Sequence, residues 1–274
     1  MLTSLKNNKC CDPQGLVNEI FKPDIAGSDL QQSLLILVNK TKETHDIPDM
    51  MKNVNIAMIP KPGKPNSHEV QNLRGIFIIS IFRSIILKLL LKDESSKIDS
   101  FMSDASVGGR KGRRIQDHLF IVNGVIFEHA RSKTSTNISI NIYDSKQCYD
   151  SLWKEHIFND LFEAGMQNDR LSLLWELDQV NKLAVKTCQG LSQRKEVRKI
   201  ICQGDCWGTC KCSLHMDNIA KDSLNPKLEP FKYKNEVELP ILTMVDDLIS
   251  ISESGFKTTR MNAFVNAKIA SKKL

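Results

Sequence analysis

Asp246 and Asp247 stand side by side between two short apolar, β-prone runs, Leu239-Pro240-Ile241-Leu242-Thr243-Met244-Val245 and Leu248-Ile249-Ser250-Ile251. Adjacent carboxylates repel each other and are costly to take out of water, so a pair at the tip of a core hairpin calls for a cation that neutralises them. Upstream, Asp144 closes the alternating run Ile138-Ser139-Ile140-Asn141-Ile142-Tyr143, and Tyr149 and Asp150 come just after it. Carboxylate oxygens of this kind suit a hard divalent cation. Holding one needs two elements: a strand with Ile138, Ile140 and Ile142 on one face, ending in Asp144, and a hairpin with an acidic tip. If these strands are neighbours, Asp144 and Asp246 lie at adjoining strand ends with Cα atoms within about 10 Å, since Mg2+ to oxygen is only ~2.0–2.1 Å on each side.

The order of motifs along the chain extends this pattern. Asp144-Ser145-Lys146-Gln147-Cys148-Tyr149-Asp150 has the form Asp, four residues, aromatic, Asp; Gln203-Gly204-Asp205 and Met244-Val245-Asp246-Asp247 follow. Ahead of them lie Ile59-Pro60-Lys61-Pro62-Gly63-Lys64, Asn72-Leu73-Arg74-Gly75-Ile76 and Gly108-Gly109-Arg110-Lys111-Gly112-Arg113. This ordered set, over residues ~50–270, resembles the reverse transcriptase domain of the non-LTR (LINE-type) retrotransposons, in which a palm carries the acids and fingers precede it.

The resemblance implies an α+β fold of the right-hand polymerase type, with helical, basic fingers and a ferredoxin-like palm sheet but no thumb. It implies an N-terminal extension and fingers over 1–134 and a palm over 135–274, interleaved with the fingers and truncated before the thumb. The implied activity is RNA-directed DNA polymerisation, with RNA template, DNA primer and dNTPs as partners. Two Mg2+ ions, for which Mn2+ can substitute, would be held by Asp144, Asp246 and Asp247, the first two bridging the metals. Two such ions supply the activated 3′-hydroxyl and the charge neutralisation that phosphoryl transfer needs. Tyr149 matches an aromatic under the sugar that excludes a 2′-hydroxyl. Lys61 and Arg74 match cations that grip the triphosphate, and Gln203 and Gly204 match the turn against which the nucleotide rests. Arg110, Lys111, Arg113 and Arg114 suit template-backbone contacts. Residue types alone leave other uses open: a core tyrosine, surface charges, a solvated basic loop.

The sequence also departs from the family pattern. Met244 replaces an aromatic, Gly75 stands where a Pro follows the Arg, Gly109 where an aromatic is common, and Cys206-Trp207-Gly208 replaces a Pro-rich stretch. The end at Leu274, soon after the acidic hairpin, reads as that of a retroelement fragment. Two other readings use the same residues: a non-catalytic nucleic-acid-binding remnant, and a maturase-like splicing helper, which usually adds a basic C-terminal domain.

Composition bounds these readings without choosing among them. With 274 residues, 41% hydrophobic and 26% charged, the chain can bury a sizeable core, and disorder is excluded as a general state. The net charge of +6 is concentrated: residues 52–114 hold 12 Lys and Arg against 5 Asp and Glu, as suits a polyanion partner or a solvated surface. Met1 to Pro13 lacks a signal-peptide core and Ile76 to Leu91 is broken by Arg83 and Lys88, so no membrane segment is expected and the chain reads as intracellular, nuclear or cytoplasmic. Eight Cys then read as thiols. Cys202, Cys206, Cys210 and Cys212, with His215, crowd together, but without the usual two-residue knuckle spacing they read as small buried apolar groups rather than zinc ligands.

Local pattern gives the remaining elements. Two short helices are expected between Asp12 and Pro48, with Asp12 as a cap, then a strand over 55–60 and a loop over 61–65. One helix is expected over 77–92 and another over 115–129 with Leu119, Val122 and Ile126 inward. Helices from 152 to Gly165 and on to about 181, strands over 182–186 and 196–201, a helix to about 220 and a last one from about 258 complete the reading.

Overall fold

The computed structural model describes residues 2–63, 69–132, 137–145, 148–179, 181–197, 202, 204–234, 236–253 and 255–272. Along the chain run α1 (Ser28–Thr44), β1 (Asn53–Pro60), β2 (Leu73–Ile79), α2 (Ile81–Phe101), α3 (Ile115–Arg131), β3 (Ser139–Asp144), α4 (Cys148–Ser151) and α5 (Lys154–Glu163). Then come α6 (Asn168–Gln179), β4 (Asn181–Thr187), β5 (Gly190–Leu191), β6 (Lys195–Val197), α7 (Gly208–Ser223), β7 (Phe231–Tyr233), β8 (Val237–Leu239), β9 (Leu242–Met244), β10 (Asp247–Ser252) and α8 (Gly255–Lys272). Contacts group the chain into two compact, interleaved units, Met1–Ser95 with Gln167–Gly208 and Ser96–Met166 with Thr209–Leu274. The 134/135 boundary expected from sequence falls inside the second. No helix among the described residues is long and apolar enough to cross a membrane.

The first unit is built on a sheet of strand order β2-β1-β4-β5, with β6 also on β4. β1 runs antiparallel to β2 and parallel to β4. Val54, Phe77 and Cys202 form its core with Ile56, Ile79 and Leu183. The helix expected over 77–92 is divided: Leu73–Ile79 is strand, and α2 starts at Ile81. Ile76 to Ile79 is a short, continuously apolar segment, a pattern whose periodicity does not separate strand from helix; pairing with β1 decides it. Asp12 does cap a helix, but one 69 residues away: its Oδ2 accepts the Ile81 N–H at 3.0 Å, while Oδ1 accepts those of Gln14 and Leu16 at 2.9 Å. Of the two short helices expected near it, one is only a 3-10 turn at Asn18–Phe21. Arg83, the charge inside the apolar stretch, is buried and donates to Asn181 Oδ1 at 2.5 Å and Asp178 Oδ1 at 3.2 Å.

The second unit holds a sheet of order β3-β10-β9 and a separate β7-β8 hairpin. Ala105, Ala220 and Leu242 pack with Ile121, Val122 and Ile249, and Val125, Phe231 and Ile251 pack with Ile138 and Ile140. Ile142, expected to share that inward face, is exposed. On α3 the buried positions are His118 and Val125, whereas Leu119 and Ile126 are exposed. The helix is thus rotated from the expected face because His118 turns in to the Ala105 carbonyl, 2.9 Å away. Burial lowers the His118 pKa, which favours the neutral ring that a core can accommodate.

Candidate functional site

β10 pairs antiparallel with β3 in a register that sets Asp247 opposite Asp144, Leu248 opposite Tyr143 and Ile249 opposite Ile142. Directly opposed Cα atoms in such a ladder are about 4.5–5.5 Å apart and successive ones 3.80 Å, so Asp246 is within about 9 Å of Asp144. The strands meet because both alternate apolar residues toward one core, and a one-residue slip would turn the acids to the other face. Asp144 and Asp247 are exposed at this sheet end. Burial, and then the Asp144 charge, raise the Asp247 pKa.

Met244 pairs with Asp247 across a two-residue turn, Val245–Asp246. Val245 has φ of 60°, left-handed backbone that strains a β-branched side chain by about 1–3 kcal/mol. Tyr149, on α4, is half-buried; burial first, then the neighbouring Cys212, Asp246 and Cys148, push its hydroxyl up to about 12 against the lowering effect of a hydrogen bond with Thr209. The carboxylate turn and the aromatic expected under a sugar therefore share one electrostatic neighbourhood. The Asp150 side chain, Lys146 and Gln147 lie outside the described residues.

Oxygen donors, mutual repulsion and an acid whose charged form is disfavoured fit a divalent cation. Among the described residues no three His, Cys, Asp or Glu side chains already converge to hold an ion. Mg2+ commonly takes one or two carboxylates and completes its shell with substrate phosphates and water, so the donor set fits without a preformed cage.

The basic loop before α3 divides by role. Arg110 is turned inward: Nε donates to Asp99 Oδ1 at 2.6 Å, Nη1 to the Ser103 and Ser106 carbonyls at 2.5 and 2.8 Å, and Nη2 to the Asp99 carbonyl at 2.9 Å. With its side chain 6% exposed, the expectation of a template contact does not suit it; it ties its loop together. Arg113 pairs with Asp104, and Lys111 and Arg114 are exposed.

In the first unit, Arg74 is exposed on β2 opposite Ile59, and Lys61 is exposed just past β1, its N–H donating to the Asn72 carbonyl at 2.9 Å. Gly204, φ 122°, lies against the same strand: a Cβ there would stand 3.1 Å from the Phe77 carbonyl oxygen. That close approach explains why a glycine follows Gln203, and it gathers Lys61, Arg74 and Gly204 along β1 and β2. Gln203 itself lies outside the described residues.

The cysteine cluster disperses. Cys202 belongs to the first unit's core, and Cys212 is buried against Cys148, Sγ to Sγ 3.0 Å. The hydrogen bond with Cys148 raises the Cys212 thiol well above its usual range, with burial adding to it. His215 instead pairs through Nδ1 with Asp160, whose other oxygen accepts from Asn218 at 2.7 Å. Sequence reading missed this partner because Asp160 is 55 residues away with no motif around it.

No protein-family model matches the sequence. Among solved structures, the chain is similar to apo telomerase from Candida tropicalis truncated from its C-terminal domain, at 14% identity and a TM-score of 0.56 over 89% of this chain and 53% of that one. It is similar also to telomerase from Candida albicans in complex with a TWJ fragment of telomeric RNA, at 14% identity and a TM-score of 0.53 over 92% of this chain and 45% of that one. The chain thus spans about half the length of these structures. At such identity the likeness is one of fold: this is a mixed α+β chain folded like part of telomerase.

Proposed function

We propose that the chain is the core of an RNA-directed DNA polymerase of the non-LTR retrotransposon type, carrying out nucleotidyl transfer with two Mg2+ ions. The register that sets Asp247 opposite Asp144, with Asp246 in the adjoining turn, carries this reading. The chain is folded like part of telomerase, and the Candida albicans telomerase structure is in complex with a fragment of telomeric RNA, which supports RNA as a partner.

Asp144, Asp246 and Asp247 would hold the ions. When bound, these supply charge neutralisation at the phosphate and lower the pKa of the attacking hydroxyl. The chain's own residues do the rest. A cation held by these acids would relieve the repulsion between Asp144 and Asp247, so this sheet end favours cationic occupants. Tyr149 presents a neutral ring to the sugar, and its edge occupies the volume that a 2′-oxygen needs. Lys61 and Arg74 would draw a triphosphate by charge, and Gly204, lying close against the Phe77 carbonyl, shapes the turn near them. Lys111, Arg113 and Arg114 hold nucleic-acid phosphates irrespective of sequence.

Primer extension on an RNA template across a Mg2+ titration tests the reading. Extension that disappears in Asp246→Asn is the expected result. Hybrid binding with no extension at any Mg2+ or Mn2+ concentration, unaltered by Asp246→Asn, establishes the remnant instead.

A further inference from the structure

The acidic turn rests on the segment that leads into the Gly108-Gly109-Arg110 motif. Ala105 to Val107 runs beside β9 as a short parallel addition: the Thr243 N–H donates to the Ala105 carbonyl at 2.9 Å, and the Val107 N–H to the Thr243 carbonyl at 3.1 Å. Gly108 comes next, directly beneath the turn. A Cβ on Gly108 would stand 2.4 Å from the Val245 nitrogen, 2.7 Å from Val245 Cγ2 and 2.8 Å from Ser213 Oγ. No side chain fits there without moving the turn, and the nearest atom is backbone, which cannot swing aside. Arg110 then fixes the same loop by its four hydrogen bonds to Asp99, Ser103 and Ser106.

Val245 needs such a support. A β-branched residue in left-handed backbone persists only where its surroundings over-determine it, and Val245 is bounded by Asp246 on one side and by the β9 ladder on the other. We propose that Gly108 is a positioning residue for the acidic turn: the segment Ala105–Arg110 holds Val245 in its strained conformation and thereby fixes where Asp246 presents its carboxylate to a divalent cation. The inference rests on the reading of Asp246 as a cation ligand. It also gives the glycine pair at 108–109 a use distinct from loop flexibility, since Gly108 is required for space, while Gly109, with φ of 69°, is required for conformation.

Gly108→Ala, compared with the wild-type chain, is examined by amide hydrogen exchange and by Mn2+ titration calorimetry. The expected result is faster exchange at the Thr243 and Val107 amides and an Mn2+ affinity lowered about 10–100-fold, the size typical for loss of a group that orients a ligand. Gly124→Ala, whose new Cβ meets nothing within 4 Å, leaves both unchanged. Should Gly108→Ala not fold, Arg110→Lys loosens the same loop without adding bulk and is expected to give the same two effects. A folded Gly108→Ala, or an Arg110→Lys, with wild-type exchange at Thr243 and Val107 overturns the proposal. If the wild-type chain binds no Mn2+, the cation reading fails on its own, and amide exchange alone decides whether Gly108 holds the turn.

Discussion

Arg110 and Arg113 carry the same charge three residues apart, and the structure uses them differently. Arg110 has four of its N–H groups occupied by protein oxygens, so truncation removes a charged donor from Asp99 and from the Ser103 and Ser106 carbonyls. Arg110→Ala should therefore lower the unfolding free energy by about 2–3 kcal/mol in urea melts, the range for hydrogen bonds from a charged group. Arg113, paired with the 86%-exposed side chain of Asp104, should cost under about 1 kcal/mol when truncated. Equal losses at the two sites would show that the inward geometry of Arg110 has no energetic meaning. Tyr149 is tested at the same scale. Its hydroxyl, pushed up to about 12, stays protonated, so the ring acts by shape and not by charge. Tyr149→Val should raise ribonucleotide relative to deoxyribonucleotide incorporation, while Tyr149→Phe, which keeps the ring, should not. An unchanged ratio in Tyr149→Val makes this a core tyrosine and nothing more.

At the scale of the element, β3 and the β9-β10 hairpin place like charges together at one sheet end, and pH reads the cost. Asp247 has its folded pKa raised above the unfolded value by burial and by Asp144. Its ionisation therefore opposes folding: the penalty is fully present above the folded pKa and vanishes as pH falls below the unfolded one. Asp247→Asn should accordingly raise the melting temperature at pH 7, with the gain shrinking as pH is lowered through the raised pKa. A gain that grows on acidification contradicts the assigned direction. These two elements were legible in the sequence because alternating apolar residues mark a strand and an acidic pair between two such runs marks a tip, although the inward face holds for Ile138 and Ile140 and not for the exposed Ile142. β2 was not, since Ile76 to Ile79 is apolar without alternation and its pairing with β1 is a tertiary fact. The inward face of α3 was misread for a related reason: His118 is buried through the Ala105 carbonyl, which no helical pattern contains. The Asp12 cap of α2 and the inward turn of Arg110 likewise depend on partners that only the fold supplies. Lys111 and Arg114 are exposed.

For the whole molecule the net charge of +6 overstates what a polyanion can meet. Within the basic stretch 52–114, Arg83 is buried with Asp178, and Arg110 is committed to Asp99 and two carbonyls. The remaining exposed cations govern binding through counterion release, in which each phosphate contact contributes about −0.9 to the slope of log affinity against log salt. Lys111→Ala and Arg114→Ala should each reduce that slope for an RNA–DNA hybrid by about 1. The acids act in the opposite sense. Asp246→Asn removes a negative charge from a sheet end that repels phosphates, so hybrid affinity without Mg2+ should hold or rise slightly, with the slope unchanged. Extension should nevertheless vanish, because a neutral amide does not replace a carboxylate toward a hard cation. Binding and chemistry thereby separate along two sets of residues of opposite charge. A fall in both affinity and slope in Asp246→Asn would mean that the acidic turn supports the basic loop structurally, and that loss of extension in this variant says nothing about metal ligation.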